Sequence, residues 1–314
     1  MSYRFGPDYP DATYVPHNYP EQLADLGEIR MNYAAAGASD AQPLLLVPGQ
    51  TESWWGFEQA MTLLAPDFRA YAVDLRGQGR SSRTPGRYSL DNWGNDLVRF
   101  IQLVIKRPTI VAGLSSGGVL TAWLSAFAPP GLVRAAYYED PPLYASEVKP
   151  AYGQSIRQSR IGNIFPLFST HLGDQWSVGD WKGLVAAAQS VLPKEVLAMS
   201  GFGDEPSQNM KEYDPEWARG FWTGSATACC DHDRMLQSVK VPVLFTHHFR
   251  RVDEATGMLE GAISDLQINR VRALIEGGGQ AFTYRSFPQM GHTMHRIDPE
   301  RYVATLKEWV AGLR

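Results

Sequence analysis

The stretch Thr109-Ile110-Val111-Ala112-Gly113-Leu114-Ser115-Ser116-Gly117-Gly118-Val119-Leu120 constrains this chain more than any other. An apolar run without alternation is a strand covered on both faces, and a helical pattern follows over residues 117–127. Ser115 therefore falls in a sharp strand-to-helix turn. Gly113 and Gly117 remove side chains where strand and helix come closest, which lets the turn lift the Ser115 hydroxyl above the sheet. The N–H of Ser116 opens the helix without an intrahelical acceptor and can face a developing oxyanion. Leu114, beside the serine, is expected to line a substrate pocket. The G-x-S-x-G pattern has meaning only in this context, where it presents a nucleophile. The G-x-G-x-x-G fingerprint and phosphate-loop lysine of a nucleotide site are missing here, which sets that alternative aside.

The surroundings repeat the same rhythm. Apolar runs at 43–47, 68–73, 133–138, 241–245 and 281–285 alternate with helical patterns at 55–64, 90–104, 266–275 and 299–310. That order predicts an α/β fold with a mainly parallel sheet covered by helices on both faces. Residues 22–26 and 29–34 flank Gly27 as an antiparallel edge hairpin, and residues 1–20 read as an irregular arm. Between 141 and 239 the rhythm breaks into aromatics, glycines and short helical patterns at 181–192 and 215–223, separated by the turn-prone 201–206. We read 141–239 as a mostly helical cap inserted into a core made of 1–140 and 240–314.

A serine hydroxyl needs an adjacent base to take its proton. His292 lies in Phe287-Pro288-Gln289-Met290-Gly291-His292, just after the last predicted strand, on the side where open α/β sheets place their ligands. His295 is its nearby competitor. His247 and His248 follow another strand and either line the site or sit in a surface loop, while His17, His171 and His232 are expected to be ordinary structural histidines. The acid that orients the imidazole has three candidates. Glu139 stands first, at the end of the strand 133–138 near the serine turn; Asp253 follows, eight residues beyond the strand 241–245; Asp140 is third. A second oxyanion donor is expected from Pro48-Gly49-Gln50-Thr51, with Gln50 first and Thr51 as the fallback.

Composition bounds the partner. The chain has 314 residues, 44% of them hydrophobic and 20% charged, with a formal charge of -4. That balance offers little to a nucleic-acid backbone or an anionic membrane, so a small-molecule partner is expected. Cys229 and Cys230 are adjacent, a poor arrangement for a clamping disulfide, and lack metal-site spacing. No histidine pair has the spacing of a zinc hydrolase, so neither a metal nor a cofactor is expected. The N-terminus has no basic segment leading into an apolar run, and the longest apolar stretches are too short to span a bilayer, which points to a cytoplasmic protein.

With these motifs in order, the chain resembles the α/β-hydrolase superfamily along nearly its whole length. Val73-Asp74-Leu75-Arg76-Gly77-Gln78-Gly79-Arg80-Ser81-Ser82 is similar to that family's strand-end loop before a long interior helix. Where the family usually has His-Gly before its oxyanion residue, this chain has Pro48-Gly49. Ser115 in place of a nucleophilic aspartate argues against epoxide hydrolases and haloalkane dehalogenases. Within the serine branch the chain resembles the lactonases that open the macrolactone zearalenone, through Val47-Pro48-Gly49-Gln50 and the strand-end Glu139. The resemblance implies hydrolysis of a bulky apolar ester or lactone through an acyl-enzyme. Trp54, Trp55, Trp181, Trp217, Phe221 and Trp222, with Tyr144, Phe165, Phe168 and Trp176, offer a large apolar wall for such a substrate. Two other readings stay open. One is carbon–carbon bond hydrolysis of a diketone whose carboxylate meets Arg160, Arg250 or Arg251; the other is a non-catalytic small-molecule receptor.

Overall fold

A computed structural model of the chain describes residues 15–192 and 202–313. Most of the arm expected over residues 1–20, and the start of the turn expected at 201–206, lie outside the described residues. Eight strands form one sheet in the order β1-β2-β4-β3-β5-β6-β7-β10. They are β1 (Gln22–Asp25), β2 (Arg30–Ala36), β3 (Gln42–Val47), β4 (Phe68–Val73), β5 (Thr109–Leu114), β6 (Val133–Glu139), β7 (Val243–His247) and β10 (Phe282–Ser286). β1 and β2 are the antiparallel edge, and every pairing from β4 to β10 is parallel. The expected edge hairpin and parallel interior are thus both present.

Strand periodicity divides the core in two, because successive side chains point to opposite faces. Leu44, Leu46, Ile110, Ala112, Ala135, Tyr137 and Leu244 face one core, closed by Met61 and Leu64 of the helix Glu58–Leu64 and by Tyr302, Leu306 and Trp309 of the helix Pro299–Ala311. Leu45, Val47, Val111, Ala136, Tyr138, Val243 and Phe245 face the other, under the helices Leu90–Phe100, Ser116–Phe127 and Asp265–Gly277. Both faces being covered explains why these strands read as unbroken apolar runs.

Two local departures from the sequence reading matter. The helix expected over 90–104 is an α-helix only to Phe100, after which Ile101–Ile105 forms a π-helical turn closed by Lys106 at φ 60°. The stretch between the predicted strand 241–245 and Asp253 contains β8 (Arg250–Val252), paired antiparallel with β9 (Leu259–Gly261) outside the main sheet, a hairpin absent from the sequence expectations.

Between β6 and β7 lie the helices Ile164–His171, Trp181–Val191, Gln208–Lys211, Glu216–Thr223 and His232–Gln237. This helical insertion packs into the core through Trp217, whose ring centroid is 3.8 Å from that of Trp93 and whose Nε1 donates to Arg76 O at 2.8 Å. Among the described residues no helix is long and apolar enough to cross a membrane.

Candidate active site

Parallel strands bring their C-terminal ends to one edge, and the residue after each end projects there. Ser115 follows β5, Asp140 follows β6, His248 follows β7, and His292 sits in the loop beyond β10. Backbone bonds stitch these ends together: Ser115 N donates to Glu139 O at 2.9 Å, Asp140 N to Thr246 O at 2.9 Å, and Phe287 N to His247 O at 2.8 Å.

Ser115 has φ 54° and ψ −123°, a left-handed backbone that a non-glycine residue holds only when its surroundings impose it. The glycines on either side supply that constraint. A Cβ at Gly113 would stand 2.3 Å from Gly117 O, and one at Gly117 would stand 2.4 Å from both Val47 O and Pro48 O. The oxyanion loop lies against the turn, since a Cβ at Gly49 would come within 3.2 Å of Ser115 Cβ. Ser116 begins the helix, as expected. Gln50 donates its side-chain amide to Tyr213 Oη, and Asn209 donates to Thr51 O, so the insertion holds this loop from above. Thr51 itself has φ 63°.

The partner of His292 departs from the first expectation. Its Nδ1 lies 2.7 Å from Asp140 Oδ2, whereas the carboxylate of Glu139 goes to His295, 3.0 Å and 3.1 Å from Nδ1 and accepting the His295 N–H at 3.0 Å. The reason is geometric. Glu139 is still in β6 and shares a face with Ala135 and Tyr137, whereas Asp140 leaves the strand at φ 44° and turns its carboxylate to the ligand edge. Asp253 is removed from the contest by β8–β9. Its Oδ1 accepts from the N–H and hydroxyl of Thr256, which closes the turn of that hairpin.

His248, left undecided between site and surface, is fully buried and positions the pair. Its N–H donates to Asp140 Oδ1 at 3.1 Å and its Nδ1 is 3.0 Å from His292 O. Desolvation opposes charge on the His292 ring, but the hydrogen bond and charge of Asp140, with Glu52 and Glu139 behind it, outweigh that and raise its pKa above 6.5. Burial acts against ionisation of Asp140, yet His248, His292 and the backbone N–H together hold its pKa below 3.8. The His292 side chain is 42% exposed, so it remains reachable from solvent.

Glu52 is a residue the sequence reading missed. It is 7% exposed, accepts from Gly49 N at 3.3 Å, and lies 3.8 Å from His295 Nε2 and 3.6 Å from Arg296. A charged residue in a short loop of small and polar residues, two positions after Gln50, was the available signal.

The residues expected to line a pocket have these surroundings. Trp54 is fully buried in the core beneath the sheet, with its indole N–H donating to Glu21 at 2.7 Å. Trp217 and Phe221 are buried against Trp93, and Trp181 is buried against Phe202 with its Nε1 donating to Gly203 O. Trp55 stacks on His17, and Trp222 packs under Arg157. Leu114 is buried against the Gly49 turn. The arginines suggested for a substrate carboxylate are already paired: Arg160 and Arg251 with Glu260, Arg250 with Asp265. Cys229 and Cys230 are both free thiols.

Comparison with known proteins matches the model of the alpha/beta hydrolase family to residues 44–305. Among curated relatives, Epoxide hydrolase 2 of Caenorhabditis elegans is 30% identical over 122 residues, 35% of this chain and 34% of that protein. The chain therefore spans about a third of the length of such relatives. Solved structures align over nearly the whole chain. The enol-lactonase from Burkholderia xenovorans LB400 has a TM-score of 0.64 at 16% identity, covering 92% of this chain and 100% of its own. A putative aryl esterase from Burkholderia cenocepacia has a TM-score of 0.66 at 18% identity, covering 94% and 99%. At such identities the likeness is one of fold.

Proposed function

The chain belongs to the alpha/beta hydrolase family, and from that premise we propose that it is a serine hydrolase opening a bulky apolar ester or lactone through an acyl-enzyme on Ser115. The observation that carries the reading is a strained serine turn at the end of β5, next to the end of β6, where the residue that follows, Asp140, is bonded to His292. With its Nδ1–H donating to Asp140, the imidazole offers Nε2 as the base, the tautomer that serine activation requires. In this cycle His292 takes the Ser115 proton as the hydroxyl attacks the carbonyl, and the backbone N–H groups of Ser116 and Gln50 receive the oxyanion. Protonated His292 then donates to the leaving alkoxide, and water activated by the same ring releases the acyl group.

Asp140 is the acid in this assignment, in place of Glu139 or Asp253. Proteins of like fold named as an enol-lactonase and a putative aryl esterase make an ester or lactone the substrate class to test. Serine in place of an aspartate nucleophile sets the epoxide hydrolase relatives apart. The carbon–carbon reading loses its motive, because its arginines are engaged with Glu260 and Asp265. Zearalenone is the specific lactone suggested by the family resemblance and belongs in the test.

Turnover on aryl esters, aliphatic lactones and zearalenone, with Ser115→Ala beside the wild type, tests the proposal. Hydrolysis that falls by at least ~10³-fold in Ser115→Ala, with an acyl adduct trapped on Ser115, supports it. Undiminished turnover in that variant refutes it, and tight binding without turnover would reassign the fold to a receptor.

A further inference from the structure

Behind the proposed site lies a second acid–imidazole cluster that the cycle above does not use. His295 is fully buried and stacks on Phe57 with ring centroids 4.1 Å apart. One side of its ring meets Glu139, with Nδ1 at 3.0 Å and 3.1 Å from the two carboxylate oxygens. The other side meets Glu52, with Nε2 3.8 Å from Oε2. That Nε2 and Glu52 Oε1 are buried without a hydrogen-bond partner among the described residues. Glu52 Oε2 also accepts the Gly49 N–H, and Gly49 presses against the Ser115 turn.

We propose that His295 is a positioning residue that acts as a standing cation behind the oxyanion loop, holding Glu139 and sharing Glu52 with Arg296, so that Glu52 can hold Gly49 without adding the negative charge of two buried carboxylates there. The inference rests on the serine-hydrolase reading for its catalytic consequence, but the bridge itself does not. Its logic is electrostatic. The reaction develops negative charge on an oxygen beside the loop, and two buried carboxylates behind that loop would oppose it at low local dielectric. A buried carboxylate pair without a cation is costly in its own right.

The groups facing His295 define its charge. Glu139 comes from the end of β6 and Glu52 from the oxyanion loop; Arg296 is on its own helix; Tyr302, from the C-terminal helix, presents its ring edge-on at a centroid distance of 5.9 Å. Desolvation pulls the His295 pKa down, the charge and hydrogen bond of Glu139 and then the charge of Glu52 push it up, Arg296 subtracts a little, and the net direction is upward. Turnover is therefore expected to fall as pH rises through the His295 pKa, separately from the acid-side limb of His292.

The test uses the full chain, with imidazole NMR for the charge of His295 and p-nitrophenyl ester kinetics for its consequence. His295 is expected to stay protonated above pH 6.5 in the wild type and to lose its proton at lower pH in Glu52→Gln. Glu52→Gln is expected to lower kcat about tenfold with KM within about twofold, less than loss of a direct oxyanion donor, and to bring the alkaline fall to lower pH. His295→Gln, if it folds, lowers kcat further and abolishes that limb. Titration of His295 below pH 6.5, or wild-type kcat and pH profile in folded Glu52→Gln, overturns the proposal. Undiminished turnover in Ser115→Ala would instead sink the serine reading and the catalytic half with it, while the NMR titration still reports on the bridge.

Discussion

At the scale of single residues, Asp140 and Glu139 are neighbours with separate partners, and that separation makes the triad assignment testable. Under the proposed mechanism, Asp140→Asn removes the charge that fixes the His292 tautomer and is expected to lower kcat by about 10³- to 10⁴-fold, the loss that serine triads show. Glu139→Gln leaves the Asp140–His292 bond in place and is expected to cost much less. The pH dependence follows from the directions of the shifts. In the proposed cycle His292 must be neutral to accept a proton, and its pKa is raised, so kcat/KM of the wild type should climb with pH along a limb lying above 6.5. Asp140→Asn should move that limb down. For stability the signs differ by group. The raised His292 contributes stability fully present below 6.5 and lost as pH rises through its folded value, and the depressed Asp140 contributes stability present above 3.8 and lost as pH falls through its folded value. Unfolding in urea across pH, compared between wild type and Asp140→Asn, reads both limbs; identical pH profiles would show that the two groups do not form the pair.

At the scale of elements, the turn from β5 into the helix Ser116–Phe127 is held by contact distances too short for any side chain. Gly117→Ala would place a methyl 2.4 Å from the Val47 and Pro48 carbonyls, which must push the helix away from the oxyanion loop. We expect a loss of about 1–3 kcal/mol of stability in thermal or urea unfolding, the usual cost of overpacking, and a larger proportional loss of kcat than of stability. Unchanged turnover in Gly117→Ala would mean that loop and turn do not need each other. This element was legible because its signals are local: an apolar run, two glycines at fixed spacing and a helical pattern. The parallel order of the strands was legible for the same reason. The partner of His292 was less so, because the choice turned on side-chain reach, and the longer Glu139 was preferred. Strand alternation carried the better signal: Glu139 falls on the face of Ala135 and Tyr137, toward His295 and Tyr302, and only the residue past the strand end is free to turn. The small hairpin β8–β9 escaped notice because its strands are three residues each, too short to show alternation, and that hairpin is what carries Asp253 into its own turn.

At the scale of the molecule, the helical insertion is bound to the core at the same place where it reaches the oxyanion loop. Asp214 N donates to Gly77 O at 2.8 Å, Tyr88 Oη donates to Asp214 Oδ2 at 2.7 Å, and Trp217 packs on Trp93. Adjacent Tyr213 accepts the Gln50 amide, and Asn209 caps the Thr51 carbonyl. The aromatics expected to form a substrate wall are thus partly anchors of the insertion, which sequence could not reveal because an indole on a core and an indole in a pocket have the same pattern. Anchoring and loop control can be separated by two substitutions. Trp217→Ala removes a fully buried ring and is expected to cost about 3–5 kcal/mol of stability. Tyr213→Phe keeps the packing against Phe168 but deletes the acceptor for Gln50, and is expected to cost only about 1 kcal/mol. If Gln50 supplies an oxyanion N–H, however, Tyr213→Phe should lower kcat several-fold at nearly constant KM, because a loosened donor is felt most in the transition state. A Tyr213→Phe protein with wild-type kcat would release Gln50 from that role and leave Thr51 as the second donor to examine.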